Sequence, residues 1–452
     1  MRIHFIAIGG SAMHNLAIAL KEKGYDISGS DDEIFEPSLS RLKNHGILPP
    51  TIGWDISRIN NEIDSIVLGM HARADNPELL KAKELGLKIY SYPEYLYEQT
   101  KDKTRIVIGG SHGKTTITSM VMHVLKFAGI EFDYMVGAQL EGFENMVGLK
   151  QNTRIAVFEG DEYLTSPIDL RPKFHLYQPT IGLISGIAWD HINAFPTYEG
   201  YKDQFAIFID KIIDHGTLVY CAEDAEVKAL AFKAKKGLKT IPYSTHPFES
   251  ADGRATLLIN NAKIPLAVFG KHNMQNISGA KAVCNQVGVS DEEFYKAIST
   301  FKGASKRLQR LAENEHTKVF LDFAHSPSKV AATVGAVSEA YQDRQLVACL
   351  ELHTFSSLNA EFLSQYKGTM DKSDISLVYF NRETIAHKKL SPIEPDDVKN
   401  SFLPSNVEVF TDSQVLINKL KAIDWKNKNL LIMTSGNFSG VNLQDLAKDI
   451  VH

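Results

Sequence analysis

The sequence predicts an α/β protein of three domains, and three observations carry that expectation. Short apolar runs recur along the chain, each broken by glycine or a polar cluster and followed by a segment with apolar residues at helical spacing. That alternation of strand and helix builds doubly wound parallel sheets. One such unit, Arg105-Ile-Val-Ile-Gly-Gly-Ser-His-Gly-Lys-Thr-Thr-Ile-Thr-Ser119, places a glycine-rich loop between its strand and its helix. A length of 452 residues exceeds one ordinary core. At roughly 150 residues per domain it suggests three.

The first domain is expected over residues 1–101. Ile3 to Ile8 is a strand, followed by Gly9, Gly10, Ser11, Ala12 and Met13 and by a helix carrying Leu16, Ala17 and Leu20. A second strand, Tyr25 to Ser28, leads to Gly29, Ser30 and Asp31. The acid thus lies about 20 residues past the turn, where a ribose hydroxyl is read. Ala7 and Ala12 replace the outer glycines of the dinucleotide fingerprint, so the frame suits a diphosphate-sugar nucleotide better than NAD. Ser65 to Gly69 is a further strand, and the polar stretch after it, with His71 and Arg73, is placed at the same crevice. Glu78 to Leu85 reads as helix, Lys88 to Tyr90 as strand, and the charged link Lys101-Asp102-Lys103 ends the domain.

The second domain, 102–302, holds the phosphate loop. Ile117, Met120, Val121, Val124, Leu125 and Ala128 recur on one helical face, with Gly129 as the stop. Gly113, Lys114 and Thr115 therefore sit at a helix N-terminus, where free N–H groups and the helix dipole favour a phosphate. Gly110, Ser111, His112, Gly113, Lys114, Thr115 and Thr116 are the expected nucleoside-triphosphate contacts, with Mg²⁺ on the Thr115 hydroxyl. The loop is tighter than the standard form, which has glycine where this chain has Ile108. Arg154 to Phe158 is a strand that ends in Glu159, Gly160, Asp161, Glu162 and Tyr163, carboxylates suited to a metal or its water shell. Ile181 to Ile187 ends near Asp190-His191, an acid-imidazole pair that can serve as a ligand. Leu218 to Tyr220 adds a strand, and residues 237–269 read as an antiparallel flap. His272, Asn273 and Asn276 precede the helix read over Ile277 to Val287. Their amides suit a purine edge, although asparagine there also serves as a cap.

The third domain, 303–452, begins after Phe301-Lys302-Gly303. Lys318 to Leu321, Gln345 to Leu350, Ile375 to Phe380, Val407 to Phe410 and Asn429 to Met433 are its strands. Polar clusters follow several of them, notably Asp322 with His325, Glu351 with His353, and Thr434 with Asn437. A net charge of -5 without a dense basic stripe argues against nucleic acid and anionic membranes as partners. The first residues form a strand without a basic, apolar leader pattern, and no apolar run approaches the ~18 residues of a membrane span, so a cytoplasmic protein is expected. Cys221, Cys284 and Cys349 lack C-x-x-C spacing, which indicates neither a disulfide framework nor a zinc site.

Gly110-Ser-His-Gly-Lys-Thr-Thr116, Glu159, Asp190-His191, His272-Asn273-x-x-Asn276, Lys306-Arg307 and Asp322-Phe-Ala-His325-x-Pro327 together resemble the Mur ligases in order and spacing, along the whole chain. The resemblance implies a Rossmann-like UDP-sugar domain, a central P-loop ATPase domain and a C-terminal Rossmann-like domain. It implies an ATP-dependent ligase that activates a carboxylate as an acyl phosphate and joins it to an amine. Lys114, His191 and Arg307 would be catalytic; Thr115, Glu159 and His191 would surround Mg²⁺. His272, Asn273, Asn276, Asp322 and His325 would hold the nucleotide. Ile8-Gly-Gly-x-x-Met13 and Ser28-Gly-Ser-Asp31 look like the branch that acts on UDP-N-acetylmuramate, bound by residues 9–13, Ser30, Asp31, His71 and Arg73. Asp161, Glu162 and Tyr163 with Arg171 and Lys173 favour the tripeptide L-alanyl-γ-D-glutamyl-meso-diaminopimelate as the amine over free L-alanine. No protein partner is implied. Ser326, Gln309 and the absence of an in-register counterpart to a carbamylated lysine, with only Lys202 nearby, depart from the family pattern. A non-catalytic NTP-binding regulatory module would need neither Asp190-His191 nor Arg307. A nicotinamide dehydrogenase and a folate polyglutamate ligase fit the N-terminal domain less well.

Overall fold

The computed structural model describes every residue except 71, 167, 252, 260 and 261. The chain forms two compact units. One comprises Met1–Ile187, Lys202–Tyr243 and Gly279–Glu293, the other Ala188–Tyr201, Ser244–Ser278 and Phe294–His452.

The first unit contains two parallel sheets. The N-terminal one has four strands, in the order Asp26–Ser30, Arg2–Ile6, Ser65–Leu68, Lys88–Ser91. The other has seven, in the order Lys239–Tyr243, Thr217–Cys221, Ile181–Ile184, Thr104–Gly109, Ile155–Glu159, Phe132–Met135, Val147–Gly148, and only the last pair is antiparallel. Ile106, Val107 and Ile108 are fully buried, as a central parallel strand covered on both faces requires. Register aligns Ile108 with Glu159 and Gly109 with Ile184, so the loops after these three strands leave the sheet at one edge.

The flap expected over residues 237–269 divides. Lys239–Tyr243 instead pairs in parallel with Thr217–Cys221, at the edge of the seven-stranded sheet. Only Phe248–Ala251, Arg254–Ile259 and Ala262–Leu266 form an antiparallel sheet. A half-exposed edge strand and a flap strand share the same alternation of apolar and polar residues, so periodicity does not separate them.

The second unit carries that flap and a six-stranded sheet, in the order Gln309–Glu313, Lys318–Asp322, Lys428–Met433, Gln345–Leu352, Ile375–Phe380, Val407–Phe410. The first strand is antiparallel and the others are parallel. Cys221, Cys284 and Cys349 are buried and free. Among the described residues no helix is long and apolar enough to cross a membrane.

Within the first unit the charged link after residue 100 is held by Arg105. Its buried guanidinium donates to the carbonyls of Tyr177 and Gln178 at 3.0 Å, Thr100 at 3.0 Å, Lys101 at 2.6 Å and Lys103 at 2.9 Å, and lies 5.2 Å from the Tyr97 ring centroid. A planar fork with five N–H donors can meet these five carbonyls together, more than the three donors of a lysine ammonium can serve. Arg105→Lys is therefore expected to lower the thermal unfolding transition by the equivalent of about 2–4 kcal/mol, and Arg105→Ala by no less. An unchanged transition in scanning calorimetry would show that water satisfies these carbonyls.

Candidate active site

The phosphate loop is built where the first unit's central strands end. Gly110 has φ +132°, and a Cβ there would overlap the Ser185 hydroxyl; Gly113 has φ +78° and caps the helix Lys114–Phe127. Ser111 donates its N–H and its hydroxyl to the Gly186 carbonyl at 3.0 and 3.1 Å, and the Ser185 hydroxyl donates to the carbonyls of Gly109 and His112. The loop is thus pinned to the turn that follows Ile181–Ile184. The Lys114 ammonium donates to the Gly110 carbonyl at 2.6 Å and to Glu162 Oε2 at 2.5 Å. Burial pulls the Lys114 pKa down, but Glu162, Asp161 and Glu159 outweigh it and hold the ammonium above its ordinary range. The Thr115 hydroxyl donates to Glu159 Oε1 at 2.8 Å, while the Gly137 N–H donates to Oε2 at 2.7 Å. Thr116 is buried in the first turn.

Lys173 lies 2.6 Å from Asp161 Oδ2 and 5.6 Å from the Tyr163 ring centroid. Arg171 pairs with Asp169 at 2.7 Å and with Glu94 at 2.8 Å. It lines a cleft of 660 Å³ with Glu94, Tyr97, His175 and Lys211, and no phosphate-loop residue lines that cleft.

The N-terminal turn is organised by Asp31. Its Oδ2 accepts the Gly9 N–H at 2.6 Å, and a Cβ on Gly9 would crowd the same oxygen at 2.9 Å. Gly10 caps the helix Ser11–Glu22; Ser11 and Ala12 are exposed, whereas Met13 is buried. The Ser30 hydroxyl accepts from Arg58 at 2.9 Å and lies 3.4 Å from His4 Nε2. Burial pushes the Asp31 carboxyl up to about 6, against the Gly9 N–H and aided by Asp32. Arg73 is paired with Asp75 on the surface, and His71 lies outside the described residues.

The remaining expected residues belong to the second unit. His272, Asn273 and Asn276 lie in the first turns of the helix Lys271–Gln286, and Asn273 donates to the Phe269 carbonyl at 2.8 Å. Phe269 meets Phe320 edge-on with ring centroids 5.8 Å apart, which sets this helix start beside the strand Lys318–Asp322. Burial raises the Asp322 pKa, opposed by Arg307 and by the Leu308 N–H at 2.5 Å. The Arg307 guanidinium lies 4.8 Å from the Phe323 ring centroid. His191 has φ +57° and donates its N–H to Asp190 Oδ1 at 2.8 Å. Asp190 Oδ2 is 3.3 Å from the Lys329 ammonium and 3.8 Å from His325 Nε2. Burial would raise the Asp190 pKa, but Lys329, His191 and His325 hold it well below the carboxylate range. Burial first, and then Lys329, lowers His325 to about 3, so its imidazole is neutral at pH 7.

Among the described residues no three His, Cys, Asp or Glu side chains converge as a metal site. Thr115 and Glu159 supply a hydroxyl and a carboxylate oxygen 2.8 Å apart. That is a donor set Mg²⁺ uses when phosphates and water complete its shell. Sequence reading missed Gly137, Ser185, Gly186 and Lys329. Ser185-Gly186 directly after a strand beside the loop strand is a usable signal; Lys329, 139 residues from Asp190, has none.

Asp31 has a folded-state pKa near 6 against a reference of 3.8. A raised carboxyl pKa destabilises the fold above pH 6, and the penalty disappears as pH falls below the unfolded value. Asp31→Asn is therefore expected to stabilise the protein by about 1–3 kcal/mol at pH 7, with the gain shrinking toward pH 4. Urea midpoints at the two pH values measure it, and a gap independent of pH would refute a buried ionised Asp31.

Comparison with known proteins identifies the family. Residues 2–104 match the Mur ligase family catalytic domain, and residues 108–284 match the Mur ligase middle domain. The UDP-N-acetylmuramate–L-alanine ligase of Sulfurihydrogenibium sp. (strain YO3AOP1) is 30% identical over 460 residues, 99% of this chain and 97% of that one. The UDP-N-acetylmuramate-alanine ligase structure from Thermotoga maritima is similar in fold, with a TM-score of 0.71 at 20% identity over 100% of this chain and 98% of that one. The UDP-N-acetylmuramate:L-alanyl-γ-D-glutamyl-meso-diaminopimelate ligase structure from Neisseria meningitides has a TM-score of 0.59 at 27% identity, over 67% of this chain and 98% of that one. The chain belongs to the Mur ligase family and is an ATP-dependent ligase that forms carbon–nitrogen bonds.

Proposed function

We propose that this enzyme joins L-alanine to the lactyl carboxylate of UDP-N-acetylmuramate in the cytoplasm, through an acyl phosphate. The observation that carries the reading is Lys114 at the head of a helix, with Thr115 and Glu159 in contact beside it. A carboxylate is a poor electrophile, and phosphorylation by ATP gives it a leaving group. Each later step also gathers negative charge, which loop N–H groups and the Lys114 ammonium would stabilise. Thr115 and Glu159 would hold Mg²⁺, which when bound neutralises phosphate charge, and a metal-associated role is proposed for His191. Asn273 and Asn276, with His272, would hold the adenine end, and His325 is proposed as a further nucleotide contact. Asp322 would take the ribose and Arg307 the phosphates. Gly9 to Met13, Ser30, Asp31, His71 and Arg73 would bind the UDP-sugar. In this reading the domains divide near residues 101 and 302.

L-alanine replaces the tripeptide favoured by sequence alone for two reasons. Arg171 and Lys173, expected to meet the tripeptide's extra carboxylates, are already matched by Asp169, Glu94 and Asp161. The Sulfurihydrogenibium relative, aligned over nearly the whole chain, is also named for L-alanine. The likeness to the Neisseria ligase keeps the tripeptide as the second reading.

Lys114→Ala is expected to lower ATP-dependent ligation by about 10²–10³-fold or more while calorimetric affinity for UDP-N-acetylmuramate stays near wild type. Loss of both together would place Lys114 in a structural role. Phosphate release with UDP-N-acetylmuramate, ATP and either amine at matched concentration is expected to be fast with L-alanine and near background with the tripeptide. The reverse result would establish the tripeptide as substrate.

A further inference from the structure

We propose that Asp224 is a positioning residue for the phosphate loop and acts by holding the turn that supports it. The proposal rests on reading residues 110–116 as the nucleotide site. Asp224 follows the strand Thr217–Cys221, which lies beside Ile181–Ile184 with Tyr220 level with Ile184. The segments after both strands therefore leave the first unit's seven-stranded sheet at one edge. There the Asp224 carboxylate divides its oxygens between two segments. Oδ1 accepts the Val227 N–H at 3.0 Å and caps the helix Ala225–Phe232, while Oδ2 accepts the Ile187 N–H at 2.9 Å. An aspartate just before a helix ordinarily serves as its cap. The second bond, across 37 residues, is what adds a positioning role.

Ile187 ends the turn on which the loop is pinned. The Gly186 carbonyl accepts both the N–H and the hydroxyl of Ser111, and the Ser185 hydroxyl bonds the carbonyls of Gly109 and His112. Gly186 is buried, and a Cβ on it would overlap the His112 ring and stand 3.3 Å from Asp224 Oδ2. Loop, turn and Asp224 are thus packed in series, and Asp224 is an anchor that lies outside the loop. Without the bond to Ile187, loop and turn can shift together, keeping their mutual hydrogen bonds while leaving the place that the sheet edge sets. Group transfer is sensitive to such a shift, since a displacement of about 1 Å can cost on the order of 10²-fold.

Asp224→Ser separates the two bonds in the full chain, because serine also caps a helix but its shorter side chain, with one oxygen, cannot reach Ile187 as well. In steady-state ligation, with whichever amine turns over, the variant is expected to raise KM for ATP about tenfold while KM for UDP-N-acetylmuramate changes less than about twofold. Calorimetric affinity for the non-hydrolysable ATP analogue AMP-PNP is expected to fall by the same factor. A residue that served stability alone would lower the folded fraction, and hence apparent kcat, and leave both KM values as they are. Should Asp224→Ser fail to fold, Asp224→Asn carries the same test. Asparagine is a preferred cap, so its oxygen stays on Val227 and its amide nitrogen meets the Ile187 N–H donor to donor. An unchanged KM for ATP in the variant that folds, with or without a lower unfolding temperature, or an equal rise in both KM values, overturns the proposal. Wild-type AMP-PNP affinity in Lys114→Met would instead overturn the phosphate-loop reading itself.

Discussion

Gly110 accepts a backbone conformation and a closeness of approach that no side chain permits, and the phosphate loop depends on both. Its φ of +132° turns the chain away from the strand Thr104–Gly109, and the Ser185 hydroxyl occupies the space a Cβ would need. With that space available, Ser185 and Gly186 can hold the carbonyls and N–H groups of residues 109–112. The helix Lys114–Phe127 then starts beside Glu159 and Glu162, two carboxylates on the neighbouring chain segment. A larger residue at 110 would separate the loop from this support before it altered any phosphate contact.

Charge in both units is arranged around buried or half-buried acids with defined partners. In the first, Glu162 is met by Lys114, Glu159 by Thr115 and Gly137, and Asp31 by the Gly9 N–H. In the second, Asp190 is met by Lys329 and by its neighbour's N–H, and Asp322 by the Leu308 N–H. Buried carboxylates without such partners would be too costly to keep ionised. Each pairing also fixes a loop at the end of a parallel strand, which is where open α/β sheets bind ligands.

Arg171 and Lys173 are where sequence and structure diverge most. Read along the chain, Arg171 and Lys173 are two cations close to an acidic turn, a plausible reception for several carboxylates. Folded, each is engaged by an acid on its own or a neighbouring segment. Proximity in sequence gives cations an address but leaves open which anion they meet, because side-chain pairing is decided by turn geometry and by what packs alongside.

By itself the sequence determined the α/β class, most strand positions and the helix that begins at Lys114. These follow from local rules: apolar period, glycine placement and the orphan N–H groups of a helix start. Only the tertiary structure decided that Lys239–Tyr243 joins the central sheet in parallel, that Lys114 is held by an acid 48 residues away, and that Lys329 is the counter-ion of Asp190. The same pattern suits either strand pairing, and a charge in the chain carries no mark of its partner. Both are settled by sheet register and burial, which bring distant segments to one edge and make an unpaired charge there costly.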